Sequence, residues 1–82
     1  MIKIRKELIN FAEEMELKMR KNDDEKGDSY KTLPHPFLVN KFYEEKKELE
    51  DSSFLDENEC IDVALMSFML WYWKISHPTD IN

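Results

Sequence analysis

Four acidic side chains have a spacing that can bring them together. Glu45 and Glu48 lie three residues apart, and Glu59 and Asp62 repeat that spacing further along the chain. Residues three apart on a helix project from the same face, so each pair is expected to point in one direction. These side chains are called the four acids below: Glu45, Glu48, Glu59 and Asp62.

The two pairs are expected to converge between two helices. The segments that carry them are joined by a short link, and helices joined in this way pack antiparallel. Each pair also continues the inward stripe of its helix. Converging carboxylates repel one another and lose hydration unless a cation neutralises them, so the pattern predicts a divalent metal site.

The type of ligand indicates which metal. All four side chains offer oxygen, and the set contains no histidine or cysteine, which favours Mg²⁺, or Mn²⁺ as a substitute, over zinc. Mg²⁺ in proteins is usually bound by carboxylates together with the phosphates of a substrate, so the expected chemistry is phosphate chemistry. The simpler alternative is a solvated acidic face, since half of the eighteen acids lie between residues 44 and 62.

The apolar pattern predicts an all-α fold with a single domain over residues 1–82. Ile4, Leu8, Phe11 and Met15 mark one face of a first helix, which is expected to pack on the core. The predicted order is helix, long loop, helix, helix. The predicted ranges are 3–20 for helix 1, 21–36 for the loop, 37–51 for helix 2 and 56–76 for helix 3.

The third helix is apolar or small on almost every side beyond its first turn. Such a helix must be covered all round, and two neighbours of this length cannot do that. The sequence therefore predicts a protomer that assembles into a helical-bundle oligomer, most simply a homodimer. Dimer and tetramer both remain open, and the apolar excess is also compatible with a surface for another protein.

The composition also bears on the partners and the cellular location of the protein. A net charge of −6 disfavours nucleic acid as a partner. Cys60 is the only cysteine, which excludes an internal disulfide and favours a reducing compartment. The N-terminal stretch has no signal-peptide core, and the apolar run 66–72 is too short to span a bilayer. We therefore expect a soluble, cytoplasmic protein with no membrane partner.

The acidic motif is similar to that of a known family. The segments "EEKKE" and "ECID" resemble the EExxE and ExxD motifs of the MazG-like, all-α nucleoside triphosphate pyrophosphohydrolases. The stretch "KMRKNDDEKGDSY" resembles the end of that family's first helix and its lysine-containing loop. The stretch "IDVALMSFMLW" resembles the apolar helix that follows the second motif. The likeness covers nearly the whole chain, although only the four acids are specific.

The resemblance implies an activity and a set of site residues. Family members hydrolyse a nucleoside or deoxynucleoside triphosphate to the monophosphate and pyrophosphate with Mg²⁺, in nucleotide-pool housekeeping, and they assemble as dimers or tetramers. The four acids would be the metal ligands, and Glu44 would either support those ligands or help to orient the attacking water. The positions expected to meet triphosphate or base are Lys26, Lys21, Asn22 and Tyr30.

Two departures and one alternative accompany this interpretation. Only ten residues separate Glu48 from Glu59, which is short for the family, and no fourth helix is evident. The alternative function is a non-catalytic helical homodimer that acts as a protein-interaction module through the aromatic end of helix 3. The preferred base and sugar and the number of metal ions stay open.

Overall fold

The chain folds into three α-helices. The computed structural model describes the backbone of residues 1–26 and 29–79 and the side chains of residues 1–21 and 30–79. The described residues contain no strand, which confirms the all-α prediction. The elements are α1 (Lys6–Lys26), a 3-10 turn (Ser29–Thr32), α2 (His35–Asp51) and α3 (Glu57–Ser76).

The first helix and its loop differ from the predicted bounds. α1 continues six residues beyond the predicted end at residue 20, so the predicted loop 21–36 is much shorter. Residues 21–26 lack apolar periodicity, but Lys and Glu are good helix formers and no glycine or proline precedes Gly27. α2 begins two residues before its predicted start, because Pro36 is tolerated in the first turn of a helix. α3 matches its prediction within one residue.

A tight link holds α2 and α3 antiparallel. Ser53 and Phe54 both have positive φ angles, 60° and 61°, which reverses the chain directly after α2. The Phe54 N–H donates to Leu49 O at 2.9 Å and so satisfies a carbonyl at the end of α2. Asp56 accepts hydrogen bonds from the N–H groups of Asn58 and Glu59 and so caps the start of α3. The two helices therefore form a hairpin.

The buried core is small and centres on α3, which packs mainly on α2 and less on α1. Among the described side chains, four apolar ones are buried: Leu38, Ile61, Leu65 and Met66. The predicted packing of the whole α1 stripe on this core is only partly correct. Met15 is half-buried, but Ile4, Leu8 and Phe11 are exposed, because α1 approaches α3 near its C-terminal half.

Aromatic rings join the elements at the end of the hairpin opposite the link. His35 at the start of α2 packs on Trp73 of α3, with ring centroids 4.6 Å apart. Tyr30, in the 3-10 turn, contacts the rings of Phe68 and Tyr72 at 5.8 and 5.6 Å. The contact between His35 and Trp73 joins α2 to α3, and the contacts of Tyr30 join the 3-10 turn to α3. Within the described ranges, no helix has the length and apolar character needed to cross a membrane.

Candidate metal centre

The hairpin brings the four acids together. Glu45 and Glu48 come from α2, and Glu59 and Asp62 come from α3. One carboxylate oxygen from each lies within 4.8 Å of the corresponding oxygen of every other. Glu48 is exposed, and the other three are half-buried, so the group lies at an edge of the hairpin that solvent reaches. The convergence follows from the equal spacing of the two pairs and from the short link.

The site is electrostatically unfavourable without a cation. Loss of hydration raises the pKa of Glu45 to about 7, and the hydrogen bond and repulsion from Glu48 add to this effect. Repulsion from Asp62 acts in the same direction, and Lys41 opposes it. The pKa of Glu59 is also raised, first by loss of hydration and then by Glu48. The folded chain therefore holds these carboxylates in a place that disfavours their charge.

Two carboxylate oxygens at this site lack hydrogen-bond partners. Oε2 of Glu45 and Oε2 of Glu59 are both buried and accept no hydrogen bond. Buried polar atoms are normally satisfied, and an unsatisfied one calls for a partner such as a water molecule or an ion. These atoms belong to opposite helices, so a single ion between the helices could satisfy both.

The geometry of the four acids fits a hard divalent cation. Oxygens on opposite sides of an octahedral Mg²⁺ ion lie about 4.2 Å apart, twice the usual bond length of about 2.1 Å. The oxygens here lie within 4.8 Å, so small side-chain rotations would close the remaining difference. Carboxylate oxygens are also the ligands that Mg²⁺ and Mn²⁺ prefer. The residues present can therefore hold such an ion.

Lys18 also reaches this site, although it is not among the site residues predicted from the sequence. Its Nζ lies 2.6 Å from Oδ1 of Asp62, and both side chains are partly shielded from solvent. A signal was present in the sequence: Lys18 follows Met15 by three residues and so continues the stripe that faces α3. A lysine on an apolar stripe can indicate a buried acidic partner.

The four predicted substrate-binding residues do not all lie beside the four acids. Lys21 lines a cleft between α1 and α3, with a volume of about 380 Å³, which also borders Lys18, Glu59 and Asp62. Tyr30 packs on Phe68 and Tyr72 at the aromatic end of the hairpin, and so is not brought to the four acids. The predicted sites Lys26 and Asn22 lie in α1, but their side chains fall outside the described residues.

Glu44 lies beside the four acids in sequence but not among them in space. Its carboxylate is 3.2 Å from Nζ of Lys41 and is 62% exposed. This ion pair is formed on the solvent-facing flank of α2. The structure therefore separates Glu44 from the acids that converge between the helices.

Comparison with protein-family models, with curated proteins and with solved structures finds no match to this chain.

Proposed function

We propose that this protein is a metal-dependent hydrolase of nucleoside or deoxynucleoside triphosphates, which releases the monophosphate and pyrophosphate. The observation that carries the proposal is the convergence of the four acids within 4.8 Å. The unpaired oxygens of Glu45 and Glu59 support a bound cation. The reaction class comes from the resemblance of the acidic motif to the MazG-like pyrophosphohydrolases, and the biological role that this suggests is nucleotide-pool housekeeping.

In the proposed mechanism, the four acids would hold Mg²⁺ or Mn²⁺. Such an ion would polarise phosphate oxygens as a Lewis acid and make a bound water more acidic. The chain's own task is to present four carboxylate oxygens from two helices in fixed register. Glu48 is the exposed member of the set and borders the solvent from which water and substrate arrive.

We assign Glu44 a secondary role. Its exposed carboxylate is paired with Lys41, and general-base catalysis requires a carboxylate within hydrogen-bond reach of the water it activates. In this position Glu44 can tune the charge beside the site, since Lys41 also lowers the pKa of Glu45. Replacing Glu44 by glutamine is therefore expected to reduce turnover far less than replacing one of the four acids.

We propose that the protein acts as a homodimer or a larger homo-oligomer. A compact monomer of this mass exposes about 5,200 Å², whereas this protomer exposes 6710 Å². The difference, about 1,500 Å², exceeds the area of about 800 Å² that each partner contributes to a standard interface. Leu8 and Trp71, both 58% exposed, are among the apolar side chains that a second copy would cover.

The alternative function is a protein-interaction module without catalysis. The same exposed apolar side chains of α1 and α3 favour it, because a partner protein could cover them as a second copy would. The two functions differ in what they require of the four acids. An interaction module has no need of a cation there, so metal would change neither its stability nor its assembly.

The test is a screen for pyrophosphate release across ribonucleoside and deoxynucleoside triphosphates, with Mg²⁺ and with Mn²⁺. We expect at least one substrate to be hydrolysed by the wild type. Glu48→Gln should lower its turnover at least about 100-fold, as loss of metal-ion catalysis is worth several kcal/mol. Glu50→Gln is the matched control, because Glu50 lies in the same helix and pairs with Lys46 instead. No release from any substrate by the wild type would refute the enzymatic proposal.

A further inference from the structure

Lys18 joins α1 to the four acids through a partly shielded ion pair. The distance from its Nζ to Oδ1 of Asp62 is 2.6 Å, and the exposed fractions of the two side chains are 32% and 22%. A pair of this kind is screened less than one at the open surface. In the absence of a metal ion, Lys18 therefore neutralises part of the charge that the four acids bring together.

This ion pair competes with a divalent cation. An ion held by the four acids needs an oxygen of Asp62, and it would lie close to the Lys18 ammonium group. Two positive charges at such a distance repel strongly in a partly desolvated site. Binding of the ion therefore favours movement of the ammonium group away from Asp62.

The neighbouring cleft offers the ammonium group a second position. The cleft lies between α1 and α3, has a volume of about 380 Å³ and is bordered by Lys18 itself. Lys21 lies one turn further along α1 on the same face, and Asn58 lies across from it on α3. Ammonium and amide groups donate hydrogen bonds, so this lining can bind phosphate oxygens. The volume is within the range of small-molecule sites.

The charge of the cleft depends on whether the ion is present. Two lysines face three acids in its lining, which gives a net charge of −1: Lys18, Lys21, Glu14, Glu59 and Asp62. A divalent cation held by the four acids makes the surroundings of the cleft more positive by two charges. An anion is therefore repelled less after the ion binds than before, which favours that order of the two binding events.

We propose that Lys18 exchanges partners when the site is loaded. In the metal-free protein its ammonium group is the counter-ion of Asp62. Once a divalent ion is bound by the four acids, the ammonium group turns into the cleft and, with Lys21, binds the phosphate chain of the substrate. This inference rests on the proposed function, and it assigns the phosphate contacts to the C-terminal half of α1.

Two binding measurements test the exchange without any need for turnover. The first is a calorimetric titration of Mn²⁺ into metal-free protein. Lys18→Gln removes the competitor for Asp62, so its Mn²⁺ affinity is expected to rise about 3- to 10-fold over the wild type. Lys21→Gln should leave Mn²⁺ affinity within about twofold of the wild type, because Lys21 lines the cleft whereas Lys18 is the lysine that pairs with Asp62.

The second measurement is binding of magnesium pyrophosphate to protein saturated with Mg²⁺, followed by the rise in melting temperature. Lys18→Gln and Lys21→Gln are each expected to weaken this binding about 10-fold, the usual effect of losing a hydrogen bond to a charged group. Lys18→Arg keeps the charge, so its affinities for Mn²⁺ and for magnesium pyrophosphate should both lie close to the wild-type values. Lys6→Gln, at the exposed start of α1, is the matched control and should change neither.

The outcomes separate this inference from the proposed function. Mn²⁺ affinity that is unchanged or weaker in Lys18→Gln would overturn the exchange, as would unchanged binding of magnesium pyrophosphate. If the wild type also binds Mn²⁺ and releases pyrophosphate, such a result refutes the role of Lys18 alone. A wild type that binds no Mn²⁺ would instead overturn the proposed function and this inference together.

Discussion

The two ends of the α2–α3 hairpin are built from opposite kinds of contact. Near the link, the two helices face each other through four carboxylates that lie within 4.8 Å. At the other end, they face each other through the rings of His35 and Trp73, 4.6 Å apart. The backbone register is the same along the whole hairpin. The difference therefore lies in the side chains that the sequence places at equivalent depths.

At the aromatic end the contacts are favourable and the polar groups are paired. The ring of His77 stacks on Trp73 with centroids 4.4 Å apart, so Trp73 lies between two histidines. Nδ1 of His77 lies 2.9 Å from Trp73 O, which requires that this nitrogen carries the proton and donates. Each aromatic pair adds about 0.5–1.5 kcal/mol beyond its buried area. This end stabilises the hairpin.

At the acidic end the contacts are unfavourable without a cation. The pKa values of Glu45 and Glu59 are raised, and one oxygen of each is buried without a partner. A local arrangement that opposes folding is expected at a functional site, because selection there acts on function rather than on stability. The aromatic end therefore holds the two helices in register, and the convergence of the four carboxylates at the acidic end depends on that register.

The largest expected effect is loss of stability at the aromatic end. Trp73→Ala removes the ring that lies between His35 and His77, and we expect it to lower the free energy of unfolding by about 3 kcal/mol. Denaturant unfolding of the metal-free protein measures this change. Trp73→Phe keeps a ring at the position and should cost about 1 kcal/mol. Equal effects of the two substitutions would show that ring stacking does not hold this end together.

A smaller effect of opposite sign is expected at the acidic end. Replacing both Glu45 and Glu59 by glutamine removes two disfavoured charges and should stabilise the metal-free protein. The matched control replaces Glu44 and Glu50, which pair with Lys41 and Lys46. That control makes the same change in net charge but should lose about 0.5 kcal/mol. Destabilisation by the Glu45/Glu59 variant would contradict the difference between the two ends.

The smallest effect is a pH dependence that comes from the acidic end. Because the pKa of Glu45 is raised from 4.5 to about 7, the folded protein keeps a proton that the unfolded chain has lost in this window. The metal-free protein should therefore lose stability as pH rises from about 5 to about 8. We expect a change on the order of 1 kcal/mol, since solvent screening reduces the effect at this partly exposed site.

The difference between the wild type and Glu45→Gln isolates this contribution, measured by unfolding at about pH 5.5 and about pH 8. The variant should show a weaker pH dependence than the wild type. Saturating Mn²⁺ should reverse the trend in the wild type, because metal ligands bind as deprotonated carboxylates. If the wild type and the variant had the same pH dependence, the raised pKa would belong to a group other than Glu45.

Much of the hairpin could be predicted from the sequence, but the position of α1 could not. Small errors in the helix bounds do not affect the predicted convergence of Glu45, Glu48, Glu59 and Asp62, because it requires only two helices and a short link. The C-terminal extension of α1 was missed because residues 21–26 carry no apolar pattern. Lys18 was missed because its place on the apolar stripe of α1 does not identify its partner, and that partner, Asp62, belongs to another helix.

The role expected for Tyr30 illustrates a second limit. A tyrosine in a predicted loop suggested contact with a base, yet in the structure the ring packs on Phe68 and Tyr72. Sequence reasoning identified the aromatic residues of α3 as in need of cover but did not identify what covers them. Part of that cover comes from the 3-10 turn within the chain, and the exposed remainder, including Trp71, is left for the proposed partner subunit.

The most direct test of the central claim is a calorimetric titration of Mn²⁺ into metal-free protein at about pH 8, above the raised pKa of about 7 for Glu45. The wild type should bind Mn²⁺ saturably, and the variant in which Glu45 and Glu59 are glutamine should show no saturable binding. The variant in which Glu44 and Glu50 are glutamine should bind like the wild type. Absence of binding by the wild type, or equal binding by all three proteins, would contradict a metal site formed by the four acids.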